Sequence, residues 1–172
     1  MEIERKWLLQ PGVNIPLKEF KGREHYKIMQ GYVSLEPETR IRKMVSIDGR
    51  ERYILTIKGN GELMREEFEH EITKMGFDTL MDIGKLKECQ LIRKEYYKLQ
   101  YGKLFIEASR VDTGSASEFG YAEIEFNSRD EADKFQPLAW FGREITYDKQ
   151  YKMKNYWRIT RKMQNEINNG SK

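Results

Sequence analysis

Three pairs of like-charged residues, each split by a single position, are the first chemistry the chain offers: Glu2 and Glu4, Arg40 and Arg42, and Glu123 and Glu125. In a β-strand, residues i and i+2 share a face about 7 Å apart, so each pair sets like charges side by side. Such repulsion is tolerable when a counter-ion sits between the charges. Paired carboxylates suit Mg²⁺ or Mn²⁺, hard cations that favour oxygen ligands. Paired guanidinium groups suit phosphate oxygens, which they grip two at a time. Lys6 shares the face of Glu2 and Glu4, Thr56 shares one with Lys58, and Arg65, Glu67 and Glu69 align with Phe68 behind them. Any one of these strands alone reads as an ordinary amphipathic strand with its charges in water. Together their polar faces carry almost nothing but Glu, Arg and Lys, with the signs segregated by strand, which fits a metal–polyphosphate complex enclosed between them.

The elements that must position these residues are strands with period-two alternation: Glu2–Leu9, His25–Ser34, Glu38–Ile47, Arg52–Lys58, Leu63–Ile72, Leu91–Leu99, Lys103–Arg110 and Tyr121–Phe126. Turn signals separate several of them, at Asp48-Gly49, Gly59-Asn60-Gly61 and Tyr101-Gly102. Helical spacing is expected over Asp78–Cys89, over Ser128–Phe135 (opened by a capping box of Ser128 and Glu131) and over Lys154–Asn168. The basic residues Lys152, Lys154, Arg158, Arg161 and Lys162 read as a solvated face of that last helix. His25 and His70 read as plain strand histidines, and Trp140 and Trp157 as core. Eight antiparallel strands with a few helices suggest an α+β fold built on a closed sheet or a sandwich. If the charged faces turn inward, the apolar ones (Leu55 and Ile57, Ile124 and Phe126) need the helices as outer cover.

Length and composition narrow the classes. A chain of 172 residues fits a single domain over 1–172, and 12% aromatic residues argue against disorder. The 34% charged share is above the usual quarter, yet the net charge is only +3, so no nucleic-acid or anionic-membrane partner is demanded. Cys89 is the one cysteine, which excludes an intrachain disulfide and a cysteine-based metal cluster. The opening MEIERKWLLQ lacks an apolar segment, and no run reaches the ~20 apolar residues of a membrane span. The default expectation is a cytoplasmic protein, with the homodimer left open.

The order of motifs resembles the CYTH family of triphosphate tunnel metalloenzymes. Glu2-Ile3-Glu4-Arg5-Lys6 is similar to its Glu-x-Glu-x-Lys signature, and Gln30-Gly31-Tyr32, Arg40-Ile41-Arg42, Leu55-Thr56-Ile57-Lys58, Arg65-Glu66-Glu67-Phe68-Glu69, Ala122-Glu123-Ile124-Glu125-Phe126 and Trp140–Thr146 follow in its order. The resemblance covers roughly residues 1–157. It implies a closed eight-stranded antiparallel β-barrel, a tunnel with a charged interior and helices packed outside. It also implies metal-dependent hydrolysis of a triphosphate, inorganic triphosphate first, with ATP and thiamine triphosphate as relatives. Carried over by position, Lys6, Arg40, Arg42, Lys58, Arg65 and Lys94 would bind phosphates. Glu2, Glu4, Glu67, Glu69, Glu107, Glu123, Glu125 and Glu144 would hold Mg²⁺ or Mn²⁺, and Glu4, Lys6, Glu69 and Glu125 would carry catalysis. Two positions depart from the family pattern: Tyr96 stands where an arginine is usual, with Arg110 a conceivable replacement, and Glu107 stands where an aspartate is usual. A cyclase making cyclic AMP, a non-catalytic polyphosphate-binding tunnel and an RNA 5′-triphosphatase are the competing readings.

Overall fold

The computed structural model describes residues 3–10, 12–59 and 66–169, with the side chains of 162–169 left aside. Among the described residues nine strands form one antiparallel sheet: β1 (Glu4–Leu9), β2 (Arg23–Leu35), β3 (Glu38–Ser46), β4 (Glu51–Lys58), β5 (Glu67–Ile72), β6 (Ile92–Tyr101), β7 (Leu104–Val111), β8 (Phe119–Glu125) and β9 (Phe141–Glu144). Their order is β5-β4-β3-β2-β6-β7-β8-β1-β9. Strands stand at all eight expected places, with β9 an addition; the expected starts at Glu2 and Leu63 lie outside the described residues, and the other bounds agree within a few residues. Among the described residues the sheet does not close: β5 and β9 are its edges, where an eight-stranded closed barrel was expected. β9 has four residues and pairs with β1 across a register shift between Trp7 and Leu9.

Alternation within the strands decides which face is which. The face away from the cavity is apolar and covered. Helix α1 (Lys74–Ile83) lays Phe77 against Ile41 and Tyr53, with Leu55, Ile72 and Leu80 around them. Helix α2 (Arg129–Lys134) brings Ala132, and the residues after it bring Phe135, onto a cluster of Trp7, Ile106, Ile124, Phe126 and Phe141. Phe68 on the edge strand β5 is left 57% exposed. No helix of the described residues is long and apolar enough to cross a membrane.

The helix boundaries show what local capping adds to periodicity. α1 begins four residues before the expected Asp78, because Thr73 Oγ1 accepts the Gly76 amide at 3.0 Å and nucleates the first turn there. It ends at Gly84, so the expected stretch to Cys89 resolves into a separate 3-10 turn, Glu88–Gln90. α2 has its N-cap as expected: Ser128 Oγ accepts the Glu131 amide at 3.1 Å, while the Glu131 carboxylate accepts the Asn127 amide at 3.0 Å.

In helix α3 (Met153–Asn169) Arg158 is exposed, as expected of a solvated basic face, whereas Arg161 corrects that expectation; the Lys162 side chain lies outside the described residues. Arg161 is buried, and its guanidinium donates to Asp112 at 2.8 and 2.9 Å and to the Leu91 carbonyl at 2.9 Å. Trp157 Nε1 donates to the Gln90 carbonyl at 2.7 Å, so the helix is clamped to the ends of β6 and β7. Burial alone would raise the Asp112 carboxyl, but hydrogen bonds from Arg161, Tyr156 and the Arg93 amide outweigh it and hold it below its ordinary range. Unfolded, that aspartate takes up a proton at higher pH than it does folded, so its stabilisation is present at neutral pH and is lost as pH falls through the depressed folded value. Asp112→Asn strands the Arg161 charge, and we expect a loss of about 2 kcal/mol, read as a lower melting temperature at pH 7. The gap to the parent protein should narrow in acid; an equal gap at both pH values would refute the assignment.

Candidate active site

One cavity of about 500 Å³ is walled by side chains from β1 to β8 and from the segment leading into α3. The sheet therefore curls around it, and the like-signed pairs meet inside. Arg40 and Arg42 reach it from β3, Lys58 from β4, Glu67 and Glu69 from β5, and Lys94 from β6. Glu107 reaches it from β7, Glu123 and Glu125 from β8, and Glu4 and Lys6 from β1. Lys6, Lys58 and Lys94 are all less than 10% exposed. Register explains this convergence: Lys6 lies opposite Glu123 across β1–β8, and Arg40 lies opposite Tyr32 on one side and Thr56 on the other.

The wall is paired with itself. Lys6 Nζ lies 2.6 Å from Glu123 Oε1, Lys58 Nζ 2.6 Å from Glu67 Oε2, and an Arg42 terminal nitrogen 2.6 Å from Glu69 Oε2. These pairs do not satisfy every donor. The buried Nε atoms of Arg40 and Arg42 have no hydrogen-bond partner among the described residues. Burial, with the neighbouring Arg40 adding to it, pulls the Arg42 guanidinium below its ordinary range. Burial presses Lys94 well below the usual lysine range, with Glu123 resisting and Arg40, Lys6 and Arg42 adding to the depression. A polyanion entering the cavity removes that repulsion and supplies the missing acceptors.

The acidic side is strained in the opposite sense. Glu4 stands directly opposite Glu125, and Glu107 directly opposite Glu123, so two like-charged cross-strand pairs lie next to each other. Burial and the Glu123 charge raise the Glu107 carboxyl. Burial would raise Glu123 as well, but Lys6, then Lys94 and Lys58, outweigh it and hold it below its ordinary range. Among the described residues no three His, Cys, Asp or Glu side chains form a ready-made metal site. The donor set nevertheless fits Mg²⁺ or Mn²⁺: it is all carboxylate oxygen, and Mg²⁺ is commonly held by one or two carboxylates with waters and substrate phosphates completing its shell.

Some expected residues stand elsewhere. Glu144 lies outside the cavity, held by Arg5 at 2.9 and 2.7 Å and by the Thr146 hydroxyl at 2.7 Å, because position 144 pairs with Trp7 on the outward face of β1. Arg110 does not replace the missing guanidinium: it lies on the face opposite Glu107 and donates to the Val13 carbonyl. Tyr96 itself lines the cavity, where burial and the nearby Glu107 charge raise its hydroxyl above the ordinary range. Glu2 and Arg65 fall outside the described residues. His25 stacks on Tyr97 and contacts Glu95 at 3.1 Å, away from the cavity lining. Trp140 is buried in the core, and Trp157 packs against Tyr32.

Sequence reading missed Glu38, Arg52, Lys98, Tyr121, Lys152 and Lys154, all of which line the cavity. Alternation from Arg40 and from Lys94 points to Glu38 and Lys98. Nothing local points to Lys152 and Lys154, which arrive through the docking of α3, where Lys154 Nζ lies 3.6 Å from Glu38.

No family model matches the chain. The inorganic triphosphatase of Nitrosomonas europaea is 36% identical over 155 residues, 89% of this chain and 94% of that one. The crystal structure of an inorganic triphosphatase superposes with a TM-score of 0.59 at 28% identity, covering 91% of this chain and 93% of the other. A Pyrococcus horikoshii protein of known structure shares the fold at a TM-score of 0.51 and 20% identity, over 78% of this chain and 84% of its own.

Proposed function

We propose that this chain, which belongs to the CYTH family of triphosphate tunnel metalloenzymes, is a metal-dependent phosphohydrolase that cleaves the terminal phosphoryl group of inorganic triphosphate inside its curled sheet. The observation that carries the reading is the meeting of buried, mutually repelling cations with opposed carboxylates in a single cavity. Phosphoryl transfer proceeds through a loose transition state with charge spread over the transferred group and the leaving oxygen, so positioning and charge neutralisation do most of the work. Lys6, Arg40, Arg42, Lys58 and Lys94 clamp the phosphates, with Arg65 as a further candidate. Glu4, Glu107, Glu123 and Glu125 would hold Mg²⁺ or Mn²⁺, with Glu2, Glu67 and Glu69 as further candidates. A divalent ion held there would supply charge neutralisation on the phosphates and activation of a water. Glu69 or Glu125 would orient the attacking water.

The test is phosphate release from inorganic triphosphate, ATP and thiamine triphosphate, with and without Mg²⁺ or Mn²⁺, and with chromatography of the products. Inorganic triphosphate is the expected best substrate, yielding pyrophosphate and phosphate. No turnover of any of the three with either metal ends the hydrolase reading, and cyclic AMP as product would replace it with the cyclase.

A further inference from the structure

We propose that Tyr121 is a positioning residue: its ring face and its hydroxyl hold the ammonium groups of Lys6 and Lys94 at fixed points on the cavity wall, where both meet the phosphate chain. The proposal rests on the reading of this cavity as a triphosphate site. Lys6 Nζ lies 3.8 Å from the centroid of the Tyr121 ring, close enough for a cation–π contact. Lys94 Nζ donates to the Tyr121 hydroxyl at 2.7 Å and lies 5.4 Å from the same centroid. Lysines from strands that are not neighbours, β1 and β6, thus converge on a single side chain of β8.

A lysine ammonium is a point charge on a flexible four-carbon stem, and fixing it costs conformational entropy. Tyr121 offers a rigid post. It is 3% exposed and packs in a cluster with Tyr32, Ile92, Val111, Ile145 and Met153. Glu123, two residues along β8 and on the same face, fixes Lys6 from the other side at 2.6 Å. Its carboxylate is also a proposed metal ligand. When a cation draws on that carboxylate, the ring still holds Lys6 at the wall. The two contacts therefore have separate duties, and the aromatic one does not compete with metal.

The two contacts can be removed separately. Tyr121→Phe keeps the ring under Lys6 and removes the acceptor for Lys94; Tyr121→Leu removes both. Calorimetry with inorganic triphosphate in the absence of metal, beside phosphate release with Mg²⁺, reads the outcome. We expect Y121F to bind triphosphate about tenfold more weakly and Y121L about thirtyfold, at the scale of a hydrogen bond to a charged group and a buried cation–π contact. In a Lys94→Met background Y121F should cost nothing further, whereas Y121L should still cost the Lys6 share. Variants that bind and turn over as the parent does, or a Y121F loss of full size in the Lys94→Met background, would overturn the proposal in favour of plain core packing. Should Y121L not fold, the Tyr121→Phe cycle decides alone. A parent protein that binds triphosphate without releasing phosphate removes the hydrolase reading and leaves the cycle valid; one that binds none overturns both.

Discussion

Replacing Arg42 by alanine is expected to lower phosphate release from triphosphate by about 10²–10³-fold, the scale of losing one preorganised charge-stabilising donor. Arg42 sits between Arg40 and Glu69 in the cavity wall and keeps a buried, unpartnered Nε. An anion that accepts from Nε and a terminal nitrogen together would be gripped bidentately, which no lysine reproduces. Arg42→Lys should therefore recover only a small part of the lost rate. Folding should survive, because the change also relieves the repulsion from Arg40 that lowers the Arg42 guanidinium. The check is a steady-state assay beside a thermal melt. A folded variant within tenfold of the parent removes Arg42 from the clamp.

Glu4→Gln should cost at least about a hundredfold in metal-stimulated turnover at fixed Mg²⁺, with partial recovery as the metal concentration is raised. Glu4 stands opposite Glu125, and a neutral amide there keeps the shape while removing one of the two charges that a cation would bridge. Recovery with metal separates loss of ion affinity from loss of a chemical step. Triphosphate binding measured without metal should change by less than threefold or tighten, since one negative charge has left the cavity. Equal loss at every metal concentration would make Glu4 something other than a metal ligand.

Much of this was readable in the chain because strand alternation is a strict rule. Once Arg40/Arg42, Lys58 and Glu123/Glu125 are assigned to strands, their faces follow, and the apolar partners Leu55 and Ile124 mark the other side. What could not be read depends on contacts between distant segments. Arg161 reads as a surface charge on its helix, and only the fold brings Asp112 to it. Glu144 sits in a charged closing segment, yet the β1–β9 register turns it toward Arg5 and out of the cavity. α1 starts before its apolar pattern does because Thr73, a residue outside that pattern, supplies its cap. Whether the sheet closes is likewise a matter of edge pairing between β5 and β9, which no pattern within either strand encodes.

The ion pairs of Lys58 with Glu67 and of Arg42 with Glu69 bear on how a spent site empties itself. An incoming anion must displace the glutamates already seated on these cations. A triphosphate, with charge along three linked groups, competes at several cations at once and wins by the multiplicity of its attachments. Orthophosphate after cleavage has one group and little such advantage, so the resident glutamates reclaim their partners and expel it. Inhibition by product should accordingly be weak for orthophosphate and stronger for pyrophosphate.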